Sequence, residues 1–119
     1  MAVTSFKELM VWQRAMELTK EIYLLTSTLP QDERFGISSQ LRRASVSIPS
    51  NIAEGRSRGT RKDFVQFLRI ADGSAAELET QILLLRELYP NIKVSNAESL
   101  LEEVQKMLSV MIRKLKAQS

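Results

Sequence analysis

Arg43, Ser47, Asn51 and Glu54 follow one another at intervals of four, four and three residues. On a helix that spacing brings a guanidinium, a hydroxyl, an amide and a carboxylate onto one face, each within reach of the next. Two readings fit such a row. It is either a structural network, because buried polar groups must be paired, or the wall of a polar ligand site. A second concentration of reactive side chains overlaps it. Between residues 40 and 69, seven basic residues (Arg42, Arg43, Arg56, Arg58, Arg61, Lys62 and Arg69) face two acidic ones, Glu54 and Asp63. The rest of the chain is therefore net acidic, although the whole carries +3. A local excess of positive charge attracts polyanions and neutralises phosphates, which makes RNA or DNA the natural partner. For Arg56, Arg58, Arg61 and Lys62 a solvated turn between helices explains the same residues equally well. No aromatic interleaves with these four as a base-stacking platform requires, so binding here is expected to follow the phosphate backbone with little sequence preference.

Other chemistry is narrowed by what the composition omits. The chain has no Cys and no His. Disulfides, thiolate nucleophiles, cysteine-bound metals, Ser-His-Asp triads and imidazole-bound metals are all excluded. Asp72, Glu77 and Glu79 suggest a di-iron carboxylate bundle only superficially, because such sites need Glu-x-x-His pairs. An enzyme working with Asp, Glu and Lys alone would need a convergent pocket, and none can be read from the chain. A binding protein without catalytic residues, metal or cofactor is the expectation. Trp12, the one tryptophan, fits core or interface packing. Met1 to Lys7 lacks an apolar run of signal-peptide length, and stretches such as Ile82 to Leu85 are too short to span a bilayer, so a cytoplasmic protein with no membrane partner is expected.

The elements that must hold these residues are helices. With 119 residues, 44% hydrophobic and 26% charged, the chain suits one folded domain over 1–119, and only four Gly and three Pro leave few turns for short strands. Ser5 with Glu8 has the form of a capping box, and Leu9, Trp12, Ala15, Met16, Leu18, Ile22, Tyr23 and Leu25 recur at helical spacing, predicting a first helix over about 6–29 that Pro30 ends. A second helix, capped by Ser38 or Ser39, is expected over 38–56 with Leu41, Ala44 or Ser45, Ile48 and Ile52 inward. Pro49 lies within it, removes one backbone donor and crowds the carbonyl of Ser45, so a kink or a local break is expected there. Thr60 with Asp63 caps a third helix over 61–89, which Pro90 stops. Ser95 with Glu98 forms a further capping box before a fourth helix over 96–117. Short connections favour an antiparallel up-down-up-down four-helix bundle. In the fourth helix Leu100 adjoins Leu101, Met107 adjoins Leu108 and Met111 adjoins Ile112, a spread of apolar positions that suggests self-association.

Several blocks carry a family resemblance. Gln40-Leu41-Arg42-Arg43-Ala44, Ser47-Ile48, Asn51-Ile52-Ala53-Glu54-Gly55, Phe67-Leu68-Arg69-Ile70-Ala71, Gly73-Ser74 and Glu77-Leu78-Glu79-Thr80-Gln81 resemble the bacterial four-helix-bundle proteins encoded in 23S rRNA intervening sequences. The likeness extends from Phe6 and Val11-Trp12-Gln13 to about Leu88. It implies a four-helix protomer that assembles into a ring-shaped homopentamer without known enzymatic activity. Accessory proteins of diversity-generating retroelements are similar in fold and assembly, and they bind nucleic acid and a reverse transcriptase through a basic surface. The resemblance thus implies two partner classes besides self: RNA or DNA, or a protein such as a reverse transcriptase for which the ring is a scaffold. Arg42, Arg43 and Arg69 fall within the resembling blocks, whereas Arg56, Arg58, Arg61 and Lys62 rest on charge alone. Copies of a positive patch around a symmetry axis would reinforce one another.

Overall fold

A computed structural model describes residues 5–118. Four helices account for most of them: α1 (Met10–Thr26), α2 (Ile37–Ser57), α3 (Arg61–Leu88) and α4 (Ser95–Ala117). Short 3-10 turns at Phe6–Glu8 and Gln31–Glu33 complete the regular structure, and no strand occurs among the described residues. Each helix packs on two others in a closed order, α1 on α2, α2 on α3, α3 on α4 and α4 on α1, and the diagonal pairs do not meet. Cross-helix contacts pair Thr26 with Arg42 and Thr19 with Ser45, Ser47 with Ser74, Glu79 with Gln105, Arg86 with Glu98, and Arg14 with Glu103. The all-helical four-helix bundle expected from the apolar periodicity is therefore observed.

Its core is made by the stripes that defined the helices. Leu18 and Ile22 of α1, Leu41, Ile48 and Ile52 of α2, Leu68, Leu78 and Leu85 of α3, and Val104 and Leu108 of α4 are fully enclosed. In α4, Leu100, Met107, Met111 and Ile112 are half-buried and packed on this core, so most of the suspected second apolar face is used within the chain. Trp12 is half-buried and meets Phe6 edge-on at 5.3 Å. No helix among the described residues is long and apolar enough to cross a membrane.

The helix ends depart from expectation where hydroxyls bond differently. Ser5 caps only the 3-10 turn, accepting from the Lys7 amide, and an extended Leu9 separates that turn from α1. At the other end Thr26, Ser27 and Thr28 donate to the carbonyls of Ile22, Leu24 and Leu25, drawing the backbone out of the helix before Pro30. α1 therefore covers 10–26, not 6–29. Neither Ser38 nor Ser39 caps α2, which starts after Gly36 with Ser38 buried. Ser95 lies inside α4 after Val94, and Glu98 pairs with Arg86 at 3.0 Å without closing a capping box. Thr60 does cap α3, accepting from the Asp63 amide at 3.1 Å. α2 continues through Pro49 without a break. The Thr19 hydroxyl of α1 donates to the Ser45 carbonyl at 3.0 Å, supplying the bond that Pro49 has no N–H to make.

One cross-link has a pH signature. The Tyr89 hydroxyl, just past α3, donates to the Glu33 carboxylate in the α1–α2 connection. That hydrogen bond, with burial as the lesser cause, pushes the Tyr89 pKa up from its usual value. The folded state therefore holds the phenol proton more tightly than the unfolded state does. The contribution is fully present below the unfolded tyrosine value of about 10 and is lost as pH rises through the folded value. Denaturant titrations from pH 8 to 11 should show wild type more stable than Tyr89→Phe at the lower end. The gap should close at the upper end; a gap that stays constant would remove this hydrogen bond as its cause.

Candidate nucleic-acid interface

The tight connection from α2 to α3 concentrates charge because it is short. α2 ends at Ser57, Gly59 turns the chain with φ +91°, a value that side-chain-bearing residues rarely adopt, and Thr60 opens α3. Arg58 pairs with Glu54 one turn earlier at 2.6 Å and lies over the Phe67 ring at 4.9 Å. The hydrogen bond that this guanidinium donates to the Glu54 carboxylate holds it more firmly protonated than usual. Arg61 donates to the Gln118 carbonyl at 2.8 Å, which brings the end of α4 beside the start of α3. Arg113 and Lys114 near that end thereby join Arg58, Arg61 and Lys62 at one end of the bundle, all five exposed. Arg113 and Lys116 also line a cleft with Asp72 of α3. Arg56 and Lys116 each have a partner within the chain.

The seven basic residues singled out in the sequence do not form one patch. Arg43 lies about 22 Å before Arg58, the residue that caps the end of α2, at 1.5 Å per residue. Arg42 and Arg43, neighbours in sequence, point about 100° apart on α2. Arg42 turns to α1, donates from Nε to Thr26 Oγ1 at 2.8 Å and lies over the Tyr23 ring at 4.5 Å. Arg43 and Arg69 are exposed, on α2 and α3 respectively. The polar row on α2 is shorter than its spacing allows. Asn51 donates to the Ser47 carbonyl at 2.8 Å and to the Ser47 hydroxyl at 3.0 Å, and the row then crosses to Ser74 of α3 at 2.8 Å. Glu54 is drawn to Arg58, the better-charged partner at i+4, and Arg43 makes no side-chain bond to this row. Ser47, Asn51 and Ser74 thus knit α2 to α3, while Arg43 and Glu54 stand outside the network.

The carboxylates set aside earlier are dispersed. Glu79 accepts from Gln105 at 2.9 Å, Glu77 is exposed, and Asp72 sits against the basic α4 end.

The model of the 23S rRNA-intervening sequence protein family matches residues 7–110. The chain belongs to that family. A crystal structure of a protein of unknown function from the S23 ribosomal protein family of Bacteroides thetaiotaomicron is similar, with 29% identity and a TM-score of 0.75. The likeness covers 86% of this chain and 97% of that one. None of the curated proteins compared with the chain matches it. In this 23S rRNA-intervening sequence protein the family match contains the whole α2–α3 connection but stops before Arg113, Lys114 and Lys116. The basic end therefore combines side chains from the matched segment with side chains beyond it.

Proposed function

We propose that this 23S rRNA-intervening sequence protein is a non-enzymatic binding protein that self-assembles into a homopentamer and holds the phosphate backbone of RNA or DNA on the basic end of its bundle. The observation that carries this reading is the Arg61 bond to the Gln118 carbonyl, because it adds the cations of α4 to those of the α2–α3 connection. Exposed guanidinium and ammonium groups crowded at one end, away from most of the acidic residues, raise the local polyanion concentration and release counterions on binding. Self-assembly is supported by exposed apolar side chains that the core does not use: Met10 and Val110, which border one groove between α1 and α4, and Leu83, Leu84 and Leu88 on α3.

Fluorescence anisotropy with a labelled duplex, titrated at several salt concentrations, tests the binding. Log affinity should fall with log salt at a slope of magnitude about 3 or more. Changing Arg58, Arg61, Lys62 and Lys114 together to Gln should lower that magnitude by about 3, while the helical circular dichroism is retained. Binding that ignores salt, or no binding, overturns the reading and leaves a protein-interaction scaffold in its place. Light scattering on the same sample gives the size of the assembly, and a monomer at micromolar concentration rejects the pentamer.

A further inference from the structure

The connection between α1 and α2 holds a feature that no stretch of sequence displays. Tyr23 near the end of α1, Arg34 and Phe35 in the connection, and Arg42, Arg43 and Val46 on α2 line one open groove of about 600 Å³. Phe35 is 89% exposed, the most exposed large apolar side chain among the described residues. It is not a core residue out of place, since the Arg34 guanidinium lies 5.5 Å from its ring centre and the pair stands at the groove's edge. In the same groove Arg42 lies over the Tyr23 ring and is held there by its bond to Thr26. Three guanidiniums and two aromatic rings thus share one concavity, and no carboxylate lines it. The alternation of aromatic and basic groups that the stretch from Arg56 to Lys62 lacks is created here by folding.

We propose that this groove is a second nucleic-acid site, one that takes an unstacked base and its adjoining phosphate from a single strand. A flat ring presented to solvent beside guanidiniums stacks a base whatever its identity, while the neighbouring cation takes the phosphate. Phe35 is the stacking surface and Arg43, exposed in the same groove, is the phosphate partner. A duplex keeps its bases stacked on one another, so this groove selects for single strands, whereas the basic end accepts any backbone. The proposal rests on nucleic acid being the partner class, but it does not depend on the basic end.

The test compares a labelled oligothymidine with a blunt duplex of equal length, both titrated against the full chain. Phe35→Ala should weaken oligothymidine binding on the order of tenfold and leave the duplex unchanged. Phe35→Trp, which keeps a flat ring, should restore it. The Arg58, Arg61, Lys62 and Lys114 variant should weaken both probes. If wild type binds both probes and Phe35→Ala changes neither, the groove assignment falls while backbone binding stands. Wild type binding neither probe removes both. A change in particle size by light scattering on Phe35→Ala would overturn the assignment by making the groove a contact between copies.

Discussion

Gly55→Val is expected to destabilise the bundle by about 2–3 kcal/mol, lowering the thermal midpoint by about 10 °C at fixed protein concentration. Gly55 is buried on α2 against α3, and a Cβ built there would stand 2.5 Å from the Cβ of Phe67 and 3.4 Å from the Phe64 carbonyl oxygen. Both obstacles belong to or sit directly on the α3 backbone, so no rotamer change relieves them and the helices must move apart. A branched side chain adds bulk at the very atom that clashes. Valine recovers only about 0.4 kcal/mol of helix propensity relative to glycine, too little to reverse the sign. Gly73 on α3 provides the contrast. Nothing lies within 4 Å of a Cβ built there, so Gly73→Ala should stabilise the protein by about 0.5–1 kcal/mol through propensity alone. Thermal unfolding followed by circular dichroism reads both, and equal effects at the two sites would mean that the α2–α3 approach is looser than these distances say.

The contrast between Gly55 and Gly73 also marks how far the sequence can be read. Helical periodicity located α3 and α4 almost to the residue, because Leu68, Leu78, Ile82, Leu85, Leu101, Val104 and Leu108 must all face one core. At α1 the Ser5–Glu8 capping form placed the start too early and the apolar stripe placed the end too late. The apolar stripe continues to Leu29, and nothing in its period reveals that Thr26, Ser27 and Thr28 turn their hydroxyls onto the backbone. Capping signatures were equally uneven: Thr60 caps, whereas Ser95 has the right neighbour three residues on and still lies inside its helix. A motif for local hydrogen bonds competes with tertiary ones, and Glu98 goes to Arg86 instead.

Charge density alone pointed to the α2–α3 connection, and that signal is local enough to survive without a structure. What α4 contributes is not local. Arg113 and Lys114 read as ordinary helix-terminal cations until Arg61 meets Gln118 across the bundle. Tyr23 and Phe35 were invisible as partners of Arg42 and Arg43 for the same reason, since their proximity depends on how α1 packs on α2. Conversely, spacing overstated the polar row on α2. Four residues that share a helical face need not bond in sequence when Arg58 offers Glu54 an ion pair and Ser74 offers Ser47 a partner on the next helix.

Pro49 shows sequence and structure supplying two halves of one argument. From the chain alone, a proline at 49 leaves the Ser45 carbonyl without its donor four residues on. Ser45 is completely enclosed, so water is not available to the adjacent backbone and the carbonyl needs a protein donor. The Thr19 hydroxyl provides it at 3.0 Å, sharing its one proton with the Ala15 carbonyl of its own helix at 2.9 Å. Thr19→Val, which keeps the shape and removes the hydroxyl, should cost about 1–3 kcal/mol because a buried acceptor is left unpaired. The Ala15 carbonyl loses little, since the backbone N–H of residue 19 still reaches it inside α1. In a Pro49→Ala background the new N–H at position 49 bonds the Ser45 carbonyl itself, and Thr19→Val should then cost less than about 0.5 kcal/mol. Urea denaturation of the wild type, both single variants and the double variant measures this coupling directly. Pro49→Ala alters packing as well as hydrogen bonding, but that change is common to both of its arms and cancels from the interaction energy. Equal costs of Thr19→Val in the two backgrounds would show that the threonine serves α1 alone and that α2 tolerates Pro49 by some other means.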